Sequence, residues 1–200
     1  MKGLLKKDFY LIWRNCRSIL LVAALFIAMS AFGSTSMFII MYPMVFAGTL
    51  PVSLLSYDES SRWSAYCDAL PCTRAQVVSA KYTVSLLCIA VVFVLSALTQ
   101  ILRLSIAGGK LDSIGFLLLD LLIVGLIAPA ICLPAVFKLG AEKGHIVFYF
   151  VFGGVCAFSL MVVSSSPLLN LPMPALVAGA VVLFALSWLL SVSFYQKRSL

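Results

Sequence analysis

Charge is what this sequence has least of. Asp, Glu, Lys and Arg together make up 10% of its 200 residues, against about 25% in a typical soluble domain. Only seven of those side chains are acidic, and there is one histidine, His145. These shortages exclude whole classes of function. A structural zinc site needs four Cys or His ligands at short spacing. The six cysteines (Cys16, Cys67, Cys72, Cys88, Cys132, Cys156) are scattered, and Cys67 and Cys72 have no second Cys/His pair to complete a site. They read as small, reduced apolar fillers. No G-x-x-x-x-G-K-[S/T] phosphate loop occurs, so the chain does not bind ATP by that means. Neither a Ser-x-x-Lys nor a G-x-S-x-G nucleophile arrangement is present. No metal, no cofactor and no catalytic residue is expected in this chain.

What fills the space is apolar. Hydrophobic residues make up 63% of the sequence and the mean hydropathy is +1.13, which no water-facing surface could carry. The chain is therefore expected to be an all-α integral membrane protein. Its net charge of +7 would suggest nucleic acid in a soluble protein. Here the basic residues sit in short segments between apolar runs, where they determine topology, and no nucleic-acid partner is expected.

A bilayer core needs about 20 apolar residues of helix, and six runs meet that length or approach it: residues 18–33, 37–55, 82–102, 114–137, 146–164 and 174–194. Orientation follows from the segments between them. Lys2, Lys6, Lys7, Arg14 and Arg17 precede the first run, Arg62, Arg74 and Lys81 follow the second, Lys138 and Lys143 follow the fourth, and Lys197 and Arg198 close the chain. With these on one side, only Arg103 and Lys110 fall on the other, so both termini are expected in the cytoplasm. The basic lead is long for a signal-peptide n-region, which favours a retained first span.

The lead itself, residues 1–17, has helical periodicity. Leu5, Phe9, Ile12, Trp13 and Cys16 follow one stripe and Lys2, Lys6, Tyr10, Arg14 and Arg17 another, the pattern of a helix lying in the headgroup layer. Between the second and third runs, residues 56–81 form the longest internal polar segment. Ser56 and Glu59 fit a capping box, and Trp63, Tyr66, Cys67 and Leu70 then recur at i, i+3, i+4 and i+7, the spacing of a short helix with one apolar face. Pro71 ends it. Thr73 and Gln76 make a second capping box, from which a helix beginning at Arg74 is expected to run unbroken into the third span. Residues 74–102 would then reach about 43 Å at 1.5 Å per residue, so the first turns project beyond the bilayer. Pattern alone leaves two readings open for the aromatic helix: an interfacial belt, or a docking element whose apolar face enters a groove on a soluble partner, with Asp58, Glu59, Arg62, Asp68 and Arg74 as a polar rim.

The stretch YDESSRWSAYCDALPCTRAQVVSAKY, with the amphipathic lead and six spans, resembles the membrane subunit of a type-2 ATP-binding-cassette (ABC) exporter, and most closely the small bacterial permeases of the phenol-soluble-modulin exporter type. Tyr57, Asp58, Glu59, Trp63, Leu70, Pro71, Thr73, Arg74, Lys81 and Tyr82 carry the likeness. It implies an N-terminal interfacial (elbow) helix and a cytoplasmic coupling helix between spans two and three, and it assigns ATPase docking to Asp58, Glu59, Arg62, Trp63, Tyr66, Asp68, Leu70 and Arg74. It also implies a multi-pass protein of the bacterial cell membrane, two ATPase chains holding ATP and Mg, a second permease copy in a homodimer, and an exported amphipathic peptide or lipophilic substrate.

Inside the membrane the sequence offers one acid, Asp120. An aspartate at the centre of a bilayer costs about 2.5–3.5 kcal/mol, and Arg103, near the end of the preceding span, is its expected partner in a clamp of the third and fourth spans. A second reading makes Asp120 the working carboxylate of an ion-driven carrier or channel. A third makes the chain a non-transporting scaffold that recruits a partner through its aromatic helix. Pro129 and Pro134 are expected to kink the fourth span, and Gly153 and Gly154 to permit close helix approach in the fifth.

Overall fold

The computed structural model describes residues 2–31, 37–61, 63, 73–107, 112–140, 146–147, 149–151, 153–154 and 173–197. Among them there is no strand. The main elements are α1 (Lys2–Asn15), α2 (Arg17–Ala31), α3 (Met37–Ser60), α4 (Arg74–Ala107), α5 (Asp112–Leu139) and α6 (Met173–Lys197). Four helical stretches are long and apolar enough to cross a membrane: Ile39–Ser60, Arg74–Arg103, Leu117–Leu139 and Leu176–Tyr195. The α1–α2 pair makes a fifth candidate when its two arms, bent by 73°, are taken together. The expected span at 146–164 lies almost wholly outside the described residues, as do Cys67, Cys72 and Cys156.

α3 is the hub. Two thirds (67%) of its apolar window is buried, against 17% for α6, because α2, α4 and α5 all pack on it. Three apolar clusters join it to its neighbours. Ile40, Met41, Met44 and Val45 meet Ile89 and Val92 of α4 and Leu121 and Val124 of α5. Leu50 and Leu54 meet Ile12, Cys16 and Val84, and Val52 meets Cys132 and Val136. Phe26 of α2 stacks on Tyr42 of α3 at 5.0 Å between ring centroids. α6 lies at the periphery, against α5 and α4.

α3 and α5 approach closely because each presents a glycine to the other. A Cβ on Gly48 would meet Ala128 Cβ at 3.1 Å and Pro129 Cδ at 3.2 Å. A Cβ on Gly125 would overlap the Met44 side chain, with Cγ only 2.9 Å away. Gly153 and Gly154, where close approach was expected, are exposed, with nothing within 4 Å of either Cβ position among the described residues. Pro43 and Pro51 lie inside α3 and Pro129 and Pro134 inside α5, and both helices continue through them. α5 stops at Gly140, whose φ of 85° is the left-handed conformation that glycine adopts without a Cβ penalty. Its N–H donates to the Val136 carbonyl at 2.9 Å.

Two features of the polar segments differ from expectation. No new helix starts at Ser56: α3 runs on to Ser60, and the Ser61 N–H donates to the Tyr57 carbonyl at 3.1 Å, so Asp58 and Glu59 close a helix instead of opening one. A Ser-x-x-Glu tetrapeptide is compatible with a helix interior when an apolar run precedes it, and here α3 brings Asp58 to specific cations. The stripe on α1 is also redrawn. Leu4, Asp8, Ile12 and Cys16 are buried, while Phe9 and Trp13 face outward. The second capping box is present: the Thr73 N–H donates to Gln76 Oε1 at 3.2 Å and the Gln76 N–H to Thr73 Oγ1 at 3.4 Å. From there α4 runs 34 residues, about 51 Å at 1.5 Å per residue.

Candidate functional site

At the end of the bundle where α3 finishes and α4 begins, the helices converge on four charges. Asp8 comes from the inward face of α1, Asp58 from the last turn of α3, and Lys81 from the second turn of α4. Lys7 of α1 reaches in from beside Asp8. Lys81 Nζ donates to Asp8 Oδ1 at 2.8 Å and lies 2.6 Å from Asp58 Oδ2. Lys7 Nζ donates to Asp58 Oδ1 at 2.7 Å and lies 3.4 Å from Asp8 Oδ1. Asp8 is 1% exposed and Lys81 3%, so at its centre this is a buried network, floored by the apolar cluster of Ile12, Cys16, Leu50, Leu54 and Val84.

Two lysines and two aspartates cancel in net charge, which makes burial tolerable. Desolvation still costs several kcal/mol per ion, and only close, multiple pairing offsets it. Bonds that strong between three separate elements make a joint. The joint also reaches the segment beyond α3, because Lys7 Nζ sits 4.1 Å from the centroid of the Trp63 ring, within cation–π range. The last turn of α3 is thus held at Asp58 and the segment beyond it at Trp63, both by Lys7.

A second polar contact fixes α6. The Tyr82 hydroxyl, one residue beyond Lys81, shares hydrogen bonds with Ser187 Oγ at 2.6 Å and Ser191 Oγ at 2.7 Å. Trp188 Nε1 donates to Ser79 Oγ at 3.2 Å. The first turns of α4 therefore carry both the charge network and the attachment of the peripheral helix.

Of the residues expected to form the docking surface, Asp58 and Glu59 end α3, Trp63 is half-buried under Lys7, and Arg74 opens α4. Arg62, Tyr66, Asp68 and Leu70 lie outside the described residues. Arg103 and Asp120 are both half-buried, yet no ion pair joins them. Asp120 lies eight residues into α5 and Arg103 four residues from the end of α4, about 12 Å and about 6 Å along their own helices. α4 and α5 also touch only sparsely, each packing more extensively on other helices. No group of three or more His, Cys, Asp or Glu side chains suited to a metal occurs among the described residues.

Lys7 and Asp8 did not stand out in the sequence, and Lys81 did so only as part of the resemblance. The one available signal is that Asp8 is the sole acid before Asp58. An acid alone in a basic lead has a reason to be there, and the reason is Lys81.

Long apolar helices around a central α3, a bent amphipathic entry helix and a buried ionic joint at one end define a multi-pass helical membrane protein. The family model described as "ABC-2 family transporter protein" matches residues 3–196, nearly the entire chain, and the protein belongs to that family. It is accordingly a permease component of an ABC transporter, a class that works with an ABC ATPase, and is not itself an enzyme. Among curated proteins, none matches it.

Proposed function

We propose that this chain is the permease subunit of an ATP-driven exporter for a hydrophobic or amphipathic substrate, an amphipathic peptide before a lipid or lipophilic drug. In this reading two copies pack about a two-fold axis, and the segment from Asp58 to Arg74 is the cytoplasmic docking element for two ATPase chains that hold ATP and Mg. The observation that carries the reading is the double anchorage of that segment by Lys7, at Asp58 and at Trp63. A loop that only connected two spans would need no such anchorage, whereas one that receives force from a partner must be tied to what it moves. Lys81 and Tyr82 continue the path into α4 and α6. The scarcity of charge in the spans fits a substrate with a large apolar surface.

The test is to tag the chain at Leu200, purify it in mild detergent from its native cells, and weigh every co-purifying chain by mass spectrometry. An equimolar partner carrying a phosphate-loop motif is expected. A pure, folded permease without one would sink the reading and return attention to Asp120 and ion-driven transport. Within the docking element the informative substitution is Tyr66→Ala. Asp58→Arg would damage the ionic joint itself, and lost docking could not then be told from lost structure.

A further inference from the structure

α1 has two faces of opposite character. Its one acid, Asp8, is turned inward and consumed by Lys81. The outward arc carries Lys6, Phe9, Tyr10, Trp13 and Arg14, all exposed, with Arg17 exposed just past the bend. Phe9 is 47% exposed, Tyr10 66% and Trp13 72%, unusually open for aromatic side chains. They alternate with the cations along the helix, so aromatic and basic groups share one surface. None of Lys6, Arg14 and Arg17 forms an ion pair among the described residues. The 73° bend sets α1 nearly perpendicular to α2, whose own outward side chains (Leu21, Val22, Leu25 and Met29) are exposed and apolar. Were α2 to stand among acyl chains, this bend would lay α1 along the headgroup layer. The exposed large side chains of α4 and α6 are Leu and Val with Ile101 and Trp188, and no exposed cation accompanies them among the described residues.

We propose that the outward face of α1 is a binding surface for anionic phospholipid, with Lys6, Arg14 and Arg17 taking the phosphodiester and headgroup charge and Phe9, Tyr10 and Trp13 seated at the acyl boundary. The occupant follows from charge complementarity. A surface of three unpaired cations and no anion selects a negative leaflet, and the interleaved aromatics match the depth at which amphipathic rings settle. The inference is independent of the ATPase partner.

The test is native mass spectrometry of the full chain, released from nanodiscs of equal phosphatidylglycerol and phosphatidylethanolamine, with retained lipids counted by class. The wild type is expected to retain phosphatidylglycerol preferentially. Lys6→Gln/Arg14→Gln/Arg17→Gln should reduce that preference by about fivefold for each charge removed, since these exposed side chains form no ion pair among the described residues. Trp13→Ala should lower retention of both lipids and leave the preference unchanged. Lys138→Gln, which removes a cation at the far end of α5, should have no effect. Unchanged preference in the triple variant would overturn the proposal. So would an equal loss in Lys138→Gln, which would mean that net charge and not this surface selects the lipid. Displacement of phosphatidylglycerol by millimolar inorganic phosphate would overturn it too, by making the site one for free anions.

Discussion

Lys81 has two carboxylates within 3 Å and almost no access to water, so its energetics depend on keeping both. Removing the cation while leaving Asp8 and Asp58 in place leaves Lys7 alone against two carboxylates, one uncompensated negative charge in a site built for neutrality. Lys81→Ala is therefore expected to cost about 3–5 kcal/mol, visible as a large fall in the thermal unfolding midpoint in detergent. Lys81→Met combined with Asp8→Leu removes a charge of each sign and leaves Lys7 to pair with Asp58, so it should recover most of that loss. A double variant no better than Lys81→Ala alone would show that packing, and not charge balance, holds the joint. Tyr82→Phe tests the neighbouring contact. Interhelical hydrogen bonds in membranes are worth about 0.6 kcal/mol on average, so two of them should make a decrease of about 1 kcal/mol, measurable in the same assay. None of this network was legible as a network in the sequence. Its bonds span 51 and 73 positions, and no periodicity reports a contact at that separation. What could be read was local: an isolated acid in a basic lead, and a Lys-Tyr pair at the start of a span.

Among the elements, the apolar helices were legible and their termini less so. A continuous run of Leu, Val, Ile and Ala crossing about 30 Å of hydrocarbon has no alternative to a helix, so the expected spans at 82–102 and 114–137 sit inside α4 and α5. The capping box at Thr73 was readable because Pro71 precedes it and leaves no competing helix. At Ser56 the same type of signal misled, since the apolar run before it was still helical and simply continued. Which helices approach closely was also hidden. Glycines look alike in sequence, but among the described residues Gly48 and Gly125 are the ones that face another helix at contact distance, while nothing described lies within 4 Å of a Cβ at Gly153 or Gly154. Gly125→Leu should therefore force Met44 aside and cost about 1–3 kcal/mol through overpacking, and Gly48→Leu should do the same against Pro129. Gly153→Leu should leave the unfolding midpoint unchanged. An equal fall at Gly153, which the better helix propensity of Leu cannot cause, would mean that the loss at Gly125 is not specific to the α3–α5 contact.

At the scale of the whole molecule, α1 couples two environments. Its inward face is bound through Lys7 and Asp8 to the ends of α3 and α4, and its outward face is the one proposed to meet the headgroup layer. Lys7 is the residue on which the two meet the docking segment, because its ammonium is shared by Asp58 and the Trp63 ring. Without it Lys81 keeps both of its contacts, to Asp8 and Asp58, and the uncompensated carboxylate charge falls on the more accessible side of the network, where Lys7 and Asp58 sit. Lys7→Ala should consequently cost less stability than Lys81→Ala while freeing the proposed docking segment from α1. The complex purified from native cells is expected to retain the ATPase, because the docking residues themselves remain, yet substrate-stimulated ATP hydrolysis should fall several-fold while basal hydrolysis persists. Tyr66→Ala should do the opposite and lose the ATPase with the unfolding midpoint intact. If Lys7→Ala leaves stimulated hydrolysis unchanged, the anchorage of Trp63 and Asp58 is structural only, and force from the partner must enter the spans through α4 directly, by way of Arg74 and the capped first turn.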